Sequence, residues 1–128
     1  MIRHEESNLQ QACVRWFRMQ YPKLTPLLFA VPNGGARDVR TGRVLKAEGV
    51  VAGVADLLLL VPSKDCHGLC VEMKTETGKQ SESQKAWEQA VRAQGYGYVV
   101  CRSVESFVGL MKGYLSGDLT LWHKENRG

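Results

Sequence analysis

The chain has 128 residues, of which 44% are hydrophobic and 23% are charged, a composition typical of one soluble globular domain. Its 17 Lys and Arg residues against 13 Asp and Glu give a formal charge of +4, an excess that permits nucleic-acid binding without requiring it. No apolar run approaches the roughly 20 residues of a membrane span. The polar start "MIRHEESNLQQ" also lacks the apolar core of a signal peptide. We therefore expect a cytoplasmic protein with reduced cysteines.

Hydrophobic periodicity and turn residues predict alternating helices and strands. The predicted helices are residues 4–20, 39–49, 82–94 with Ser81 as N-cap, and 104–115. The predicted strands are residues 26–31, 54–62, 68–74 and 96–102, and the tail after residue 115 is a candidate edge strand. A short polar loop joins the second and third strands, so we expect an antiparallel hairpin. The order α-β-α-β-β-α-β-α predicts an α/β fold, a mixed central sheet flanked by helices.

Acidic residues stand at the adjacent ends of the two hairpin strands. Asp56 begins the apolar run "DLLLL", and Glu72 lies near the end of "GLCVEMK". In an antiparallel pair these ends lie side by side, so the carboxylates should converge, with a repulsion of about 4 kcal/mol at about 4 Å. A cation such as Mg²⁺, which prefers oxygen ligands, would neutralise that charge, and the Met73 carbonyl is a further ligand. Lys74 lies on the same side as Glu72 and could orient an attacking water.

Each candidate also has a purely structural interpretation. The pattern E-x-K, taken alone, is typical of a surface ion pair at a strand end. The preceding strand, which begins with Asp56, is what favours a site. Glu6 lies in line with the apolar stripe of the first helix, either as a site acid or as an acid favoured by the helix dipole. Gln84 is either a site residue or the third residue of a capping box, "SESQ".

Turn residues and cations near these acids are candidates for contacts with a nucleic-acid backbone. The turn "PNGGARD" could present backbone N–H groups to a phosphate, although such a turn needs no ligand. The cations that follow are equally typical of a solvated surface. The candidate DNA-binding residues are Asn33, Gly34, Gly35, Arg37, Arg40, Arg43, Lys46, Lys79 and Lys85.

In the order and spacing of these motifs, the chain resembles the VRR-NUC (virus-type replication-repair nuclease) domain of the PD-(D/E)XK nuclease superfamily. The resemblance covers roughly residues 6–102 of the single domain predicted over residues 1–128. It runs through "PNGGARD" (32–38), "LKAEGVVAGVADLLLL" (45–60), "GLCVEMKTETGKQSESQKAW" (68–87) and "GYGYVV" (95–100). The chain departs from many members at Ala55, where they have a proline, a change that affects the start of the strand and not the chemistry.

The resemblance implies a restriction-endonuclease-like fold and specific roles for the site residues. Asp56, Glu72 and the Met73 carbonyl would bind the catalytic Mg²⁺ or Mn²⁺. Glu6 would act on the metal through water, and Lys74 would position or activate the attacking water.

The resemblance further implies that Gln84 supports the site from its helix and that the substrate is DNA. Short stand-alone members, typical of phages and prophages, resemble homodimeric Holliday-junction resolvases. We therefore expect a metal-dependent endonuclease that hydrolyses the phosphodiesters of branched DNA as a homodimer. The alternative is a non-catalytic DNA-binding module, or a subunit of a repair complex, that keeps the nuclease fold.

Overall fold

The computed structural model describes residues 2–32, 42–63 and 65–116, in the predicted element order. The elements are α1 (Ile2–Gln20), a 3₁₀ helix (Pro22–Leu27), β1 (Leu28–Ala30), α2 (Gly42–Ala47), β2 (Leu57–Leu59), β3 (Leu69–Met73), α3 (Glu82–Ala93), β4 (Gly97–Cys101) and α4 (Val104–Ser116). The α/β class and the α-β-α-β-β-α-β-α order are confirmed, with the 3₁₀ helix as an addition. Within the described ranges no helix is both long and apolar enough to cross a membrane.

The four strands form one mixed sheet in the order β1-β2-β3-β4. The predicted hairpin is confirmed, because β2 pairs antiparallel with β3 and places Leu57 opposite Val71. The same register, continued by one residue, places Asp56 opposite Glu72. β4 pairs in parallel with β3, and α3 makes the crossover between them. The sheet therefore brings the two predicted acids to one end of the β2–β3 pair.

Most of the described elements are shorter than the sequence predicts, β1 and β2 most of all, and the predicted start of α2, at residues 39–41, lies outside the described residues. β1 begins only at Leu28, because two prolines with fixed backbone angles lie in the 3₁₀ helix that precedes it. β2 keeps three residues of the predicted 54–62, although hydrogen bonds such as that from Val31 N to Asp56 O, at 2.9 Å, continue the pairing. α2 ends before Gly49, whose φ of +104° suits the left-handed residue after a helix. The candidate edge strand in the tail lies outside the described residues.

The core has one layer on each face of the sheet. α1 and α4 cover the larger layer, whose buried members include Cys13, Phe17, Leu57, Val71, Met73, Phe107 and Met111. α3 covers the smaller layer, formed by Ala55, Cys70 and Tyr98 with Trp87 and Val91 packed against them. Because side chains alternate along a strand, Glu72 points to the α3 face when Val71 and Met73 point to the other. The acids therefore lie at the margin of the smaller layer.

Candidate functional site

Asp56 is held at the start of β2 by bonds on both sides. Its Oδ2 accepts a hydrogen bond from the backbone N–H of Met73 at 2.7 Å, and its carbonyl oxygen accepts one from Val31 N at 2.9 Å. Burial raises the pKa of Asp56, and the Met73 hydrogen bond and the Lys74 charge oppose that rise. One carboxylate oxygen of Asp56 is thus bonded to the backbone. Burial nevertheless makes the ionised form of the group less favourable than it is in water.

Glu72 is the buried charged residue of the described core, with only 1% of its surface exposed. Its Oε1 accepts a hydrogen bond from the hydroxyl of Tyr98. Lys74 Nζ lies 3.3 Å from Oε2, an ion-pair distance, and no other group in the described part of the chain bonds to that oxygen. Burial raises the pKa of Glu72, the Tyr98 bond and the Lys74 charge oppose the rise, and the charge of Asp56 adds to it. Because this ion pair is the contact that Oε2 makes, a divalent cation could bind the oxygen in competition with the ammonium.

Lys74 enters the same site from the residue after β3. Its side chain is 12% exposed, and its backbone N–H donates to Cys101 O at 3.0 Å, which extends the β3–β4 pairing. Arg102 fixes the loop that follows, because its Nη1 donates to the carbonyl oxygens of Thr75 and Gly78, each at 2.7 Å. The amine is therefore presented by a backbone that is anchored on both sides.

The oxygen donors at this end of the sheet fit a hard divalent cation. Mg²⁺ usually takes one or two protein carboxylates and keeps several waters, and Asp56 and Glu72 supply that number. The donors are oxygen only, which suits Mg²⁺ or Mn²⁺ better than softer metals. No group of three or more His, Cys, Asp and Glu residues that could hold a metal ion occurs within the described ranges. Glu6, half-buried on α1, is thus not part of a three-acid cluster, and its action through water stays a prediction.

A cleft of about 550 Å³ opens beside Asp56. α2 contributes Lys46 to its wall, the loop after α2 contributes Val50 and Val51, and the start of α3 contributes Gln84. The loop packs closely against α3 at Gly53, whose φ is +86°. A Cβ placed on Gly53 would lie 2.3 Å from the carbonyl oxygen of Ser83, in the first turn of α3. The cleft thus extends from Asp56 to the helix α2, which carries Lys46.

Gln84 is confirmed as a member of the capping box, and its role at the site stays a prediction. Its Oε1 accepts a hydrogen bond from Ser81 N at 2.8 Å, and Ser81 Oγ accepts one from Gln84 N at 3.2 Å, which completes the predicted capping box. The same side chain lines the cleft with Asp56. Capping therefore holds Gln84 beside the site.

The predicted DNA-binding residues fall into two groups. Arg43, Lys46, Lys79 and Lys85 are exposed, and Lys85 forms a surface ion pair with Glu82 at 3.8 Å. The others lie outside the described residues; they are Asn33, Gly34, Gly35, Arg37 and Arg40. Of the described group, Lys46 lines the cleft that contains Asp56.

The sequence analysis missed Tyr98 and Gln80, which lie behind the acids. Tyr98 is completely buried, and its hydroxyl contacts Glu72 Oε1 and Gln80 Nε2. Burial, followed by the hydrogen bond to Glu72, raises the pKa of Tyr98, so the hydroxyl stays protonated and donates. The available signal was "GYGYVV", but only the β3–β4 register, with Cys70 beside Tyr98, directs the ring toward Glu72.

Comparisons with known proteins identify the family. The VRR-NUC domain model matches residues 3–105, which is most of the chain. A solved structure of a VRR-NUC domain protein superimposes with a TM-score of 0.75 over 87% of this chain and 88% of that chain, at 23% sequence identity. At that identity the likeness concerns the fold. A comparison with curated protein sequences finds no match. The chain belongs to the VRR-NUC family and carries a nuclease-type DNA-processing domain.

Proposed function

We propose that the protein is a Mg²⁺- or Mn²⁺-dependent endonuclease that hydrolyses DNA phosphodiesters. The observation that carries the proposal is the buried Glu72, whose Oε2 pairs with the ammonium of Lys74 at 3.3 Å and whose pKa the charge of Asp56 helps to raise. A carboxylate buried beside a second acid is costly to ionise, which favours a functional role over a purely structural one. Asp56, opposite Glu72 in the β2–β3 register, supplies the second acid that a metal site requires.

In this proposal Asp56, Glu72 and the carbonyl oxygen of Met73 hold the cation. When bound, the cation lowers the pKa of a water molecule and neutralises charge that develops on the phosphate. The hydrogen bond from Met73 N to Asp56 Oδ2, at 2.7 Å, keeps the first acid in place and does not involve Oδ1.

Lys74 supplies the positive charge that the reaction needs beside the acids. Its ammonium is a donor only, so it orients the attacking water by donating to the water oxygen. The same charge stabilises the additional negative charge that the phosphate carries in the transition state. The 3.3 Å contact with Glu72 Oε2 holds the amine close to the acids before substrate arrives.

Branched DNA is the substrate we propose, cleaved by a homodimer. Lys46 lines the wall of the cleft, and in this proposal its ammonium contacts a backbone phosphate. Beside it, Val50 and Val51 are 52% and 53% exposed, an unusual apolar surface next to a charged site. Such side chains suit contact with sugars or with bases that have lost their stacking partners, as occurs at a branch point. A two-fold dimer would set two sites against two strands of the junction.

The experiment is cleavage of a labelled four-way junction and of the duplex of one arm, in Mg²⁺, Mn²⁺, Ca²⁺ or EDTA. We expect cleavage in Mg²⁺ or Mn²⁺, faster for the junction, and none in EDTA or with Glu72→Gln, which keeps the shape of the side chain. Binding without cleavage in every divalent ion would instead support the non-catalytic module. Equal cleavage of junction and duplex would remove the branch preference, and sedimentation velocity on the same sample tests the dimer.

A further inference from the structure

A hydrogen-bonded chain behind Glu72 reaches from β4 to the outer side of α3. Gln80 Nε2 donates to Tyr98 Oη at 3.3 Å and to Glu88 Oε1 at 3.0 Å. Arg92 Nε donates to Glu88 Oε2 at 2.8 Å, and Arg92 Nη2 returns to the carbonyl oxygen of Tyr98 at 2.7 Å. These hydrogen bonds therefore form a closed ring that begins at the Tyr98 hydroxyl and ends at the Tyr98 carbonyl oxygen.

This arrangement sets the direction of the Tyr98 hydroxyl. A hydroxyl has one hydrogen to donate, and its oxygen accepts from others. Because the oxygen of Tyr98 accepts from Gln80, its own hydrogen is free for Glu72 Oε1, which has no hydrogen to offer when ionised. The ring is completely buried and packs against Trp87, with centroids 6.2 Å apart, so it has little freedom to turn away.

We propose that Tyr98 is a positioning residue that fixes the Glu72 carboxylate for the divalent cation, with Gln80 fixing Tyr98 in turn. With Oε1 bonded to Tyr98, the side chain of Glu72 is held in one orientation, and Oε2, which lies 3.3 Å from Lys74 Nζ, is the oxygen presented to the site. Hydrogen-bond partners of this kind orient metal ligands, and their loss typically weakens metal binding by about 10- to 100-fold. The inference rests on the proposed function, since it assumes that Glu72 is a ligand.

The test measures Mn²⁺ binding by calorimetry, without DNA, for wild type, Tyr98→Phe and Tyr96→Phe. Tyr96→Phe is the matched control, because Tyr96 is 39% exposed and packs on His67 instead of Glu72. We expect Tyr98→Phe to weaken Mn²⁺ binding by about 10-fold or more and Tyr96→Phe to leave it unchanged. In cleavage assays the half-saturating Mn²⁺ concentration should rise in Tyr98→Phe, while the rate at saturating Mn²⁺ changes far less.

The outcomes separate this inference from the proposed function. If wild type binds Mn²⁺ and Tyr98→Phe binds it equally well, Tyr98 has no positioning role, whereas the nuclease proposal stands. If wild type neither binds Mn²⁺ nor cuts DNA, the proposed function itself fails and the inference fails with it. Should Tyr98→Phe not fold, Gln80→Leu takes its place: weaker Mn²⁺ binding supports the inference and unchanged binding overturns it.

Discussion

Asp56 and Glu72 lie opposite each other at the ends of two antiparallel strands, and burial raises the pKa of both carboxyls. Two adjacent acids in such a place oppose folding when both are ionised. The hydroxyl of Tyr98 and the ammonium of Lys74 compensate part of that charge. In the absence of a metal, the ionised acids therefore lower the free energy of unfolding.

Asp56→Asn should stabilise the metal-free protein at neutral pH and abolish cleavage. The amide oxygen can still accept the Met73 N–H bond, while the charge that burial disfavours is gone. Thermal unfolding in EDTA should show a higher midpoint for Asp56→Asn than for wild type. Loss of a residue that only hydrogen-bonds to a metal ligand costs up to about 100-fold, and loss of Asp56, a ligand itself, should reduce cleavage by more than that.

The pH dependence of that gain follows from the direction of the shift. The folded pKa of Asp56 lies above its unfolded value of about 3.9, so the folded protein binds this proton more tightly. The protonated Asp56 carboxyl therefore favours the folded state at low pH. That contribution to stability is lost as the pH rises from the pKa of Asp56 in the unfolded chain through its pKa in the folded protein. The advantage of Asp56→Asn should be largest at neutral pH and vanish below about pH 3.9. Asp65→Asn, at an exposed carboxyl, should change stability by less than about 0.5 kcal/mol, and an equal gain there would refute the burial explanation.

Lys74→Met should separate metal binding from catalysis. The methionine fills a similar volume but removes the ammonium that lies 3.3 Å from Glu72 Oε2. We expect the cleavage rate at saturating Mn²⁺ to fall by about 10²- to 10⁴-fold. Mn²⁺ affinity, measured by calorimetry, should stay the same or increase, because a competing cation has gone. Lys112→Met, an exposed change on α4, should cleave like wild type; weaker Mn²⁺ binding in Lys74→Met would assign the lysine a different role.

Gln84→Ala and Ser81→Ala should have equal effects on stability and unequal effects on cleavage. Each removes one half of the capping box of α3, so urea unfolding should show a loss of about 1 kcal/mol for both. Both residues line the cleft beside Asp56, but Gln84→Ala also removes an amide from it, and we expect a further loss of about 10-fold in cleavage. Identical cleavage by the two variants would reduce Gln84 to a helix cap.

Gly53→Ala should damage the cleft more than Gly49→Ala does. Both glycines have positive φ, +86° and +104°, so alanine costs about 1 to 3 kcal/mol of backbone strain at either position. At Gly53 the new Cβ would also meet the backbone of Ser83, at 2.3 Å, whereas at Gly49 no atom of the described residues lies within 4 Å. The free energy of unfolding should therefore fall further for Gly53→Ala, and cleavage should fall with it. Equal losses would mean that the loop does not rest on α3.

Short-range signals were enough to predict the fold and the two acids. Ser81 before an amphipathic run marks the start of α3, and the apolar runs around Leu58 and Cys70 mark a hairpin. Because antiparallel pairing brings opposite ends together, the hairpin alone predicts that Asp56 faces Glu72. Lys74 follows from the alternation of side chains along the strand.

Long-range features could not be predicted in the same way. The contact between Tyr98 and Glu72 depends on how β4 registers against β3, and the clamp of Arg102 on Thr75 spans 27 positions of the chain. Neither feature has a local pattern, since the partner residues are not neighbours in sequence. The strand lengths were overestimated for a related reason: apolar residues such as Leu60 continue the run past the end of the strand, and Leu60 is 53% exposed, although its N–H still donates to Leu27 O at 2.9 Å.

The most direct measurement is a crystal structure of the protein soaked in Mn²⁺, with the anomalous signal of the metal recorded. We expect one peak between the carboxylates of Asp56 and Glu72, at about 2.0 to 2.6 Å from the oxygens, the range of hard divalent cations. The peak should be absent from crystals of Asp56→Asn. Diffracting crystals with no Mn²⁺ at these oxygens, or with Mn²⁺ bound only elsewhere, would contradict the metal site on which the nuclease mechanism depends.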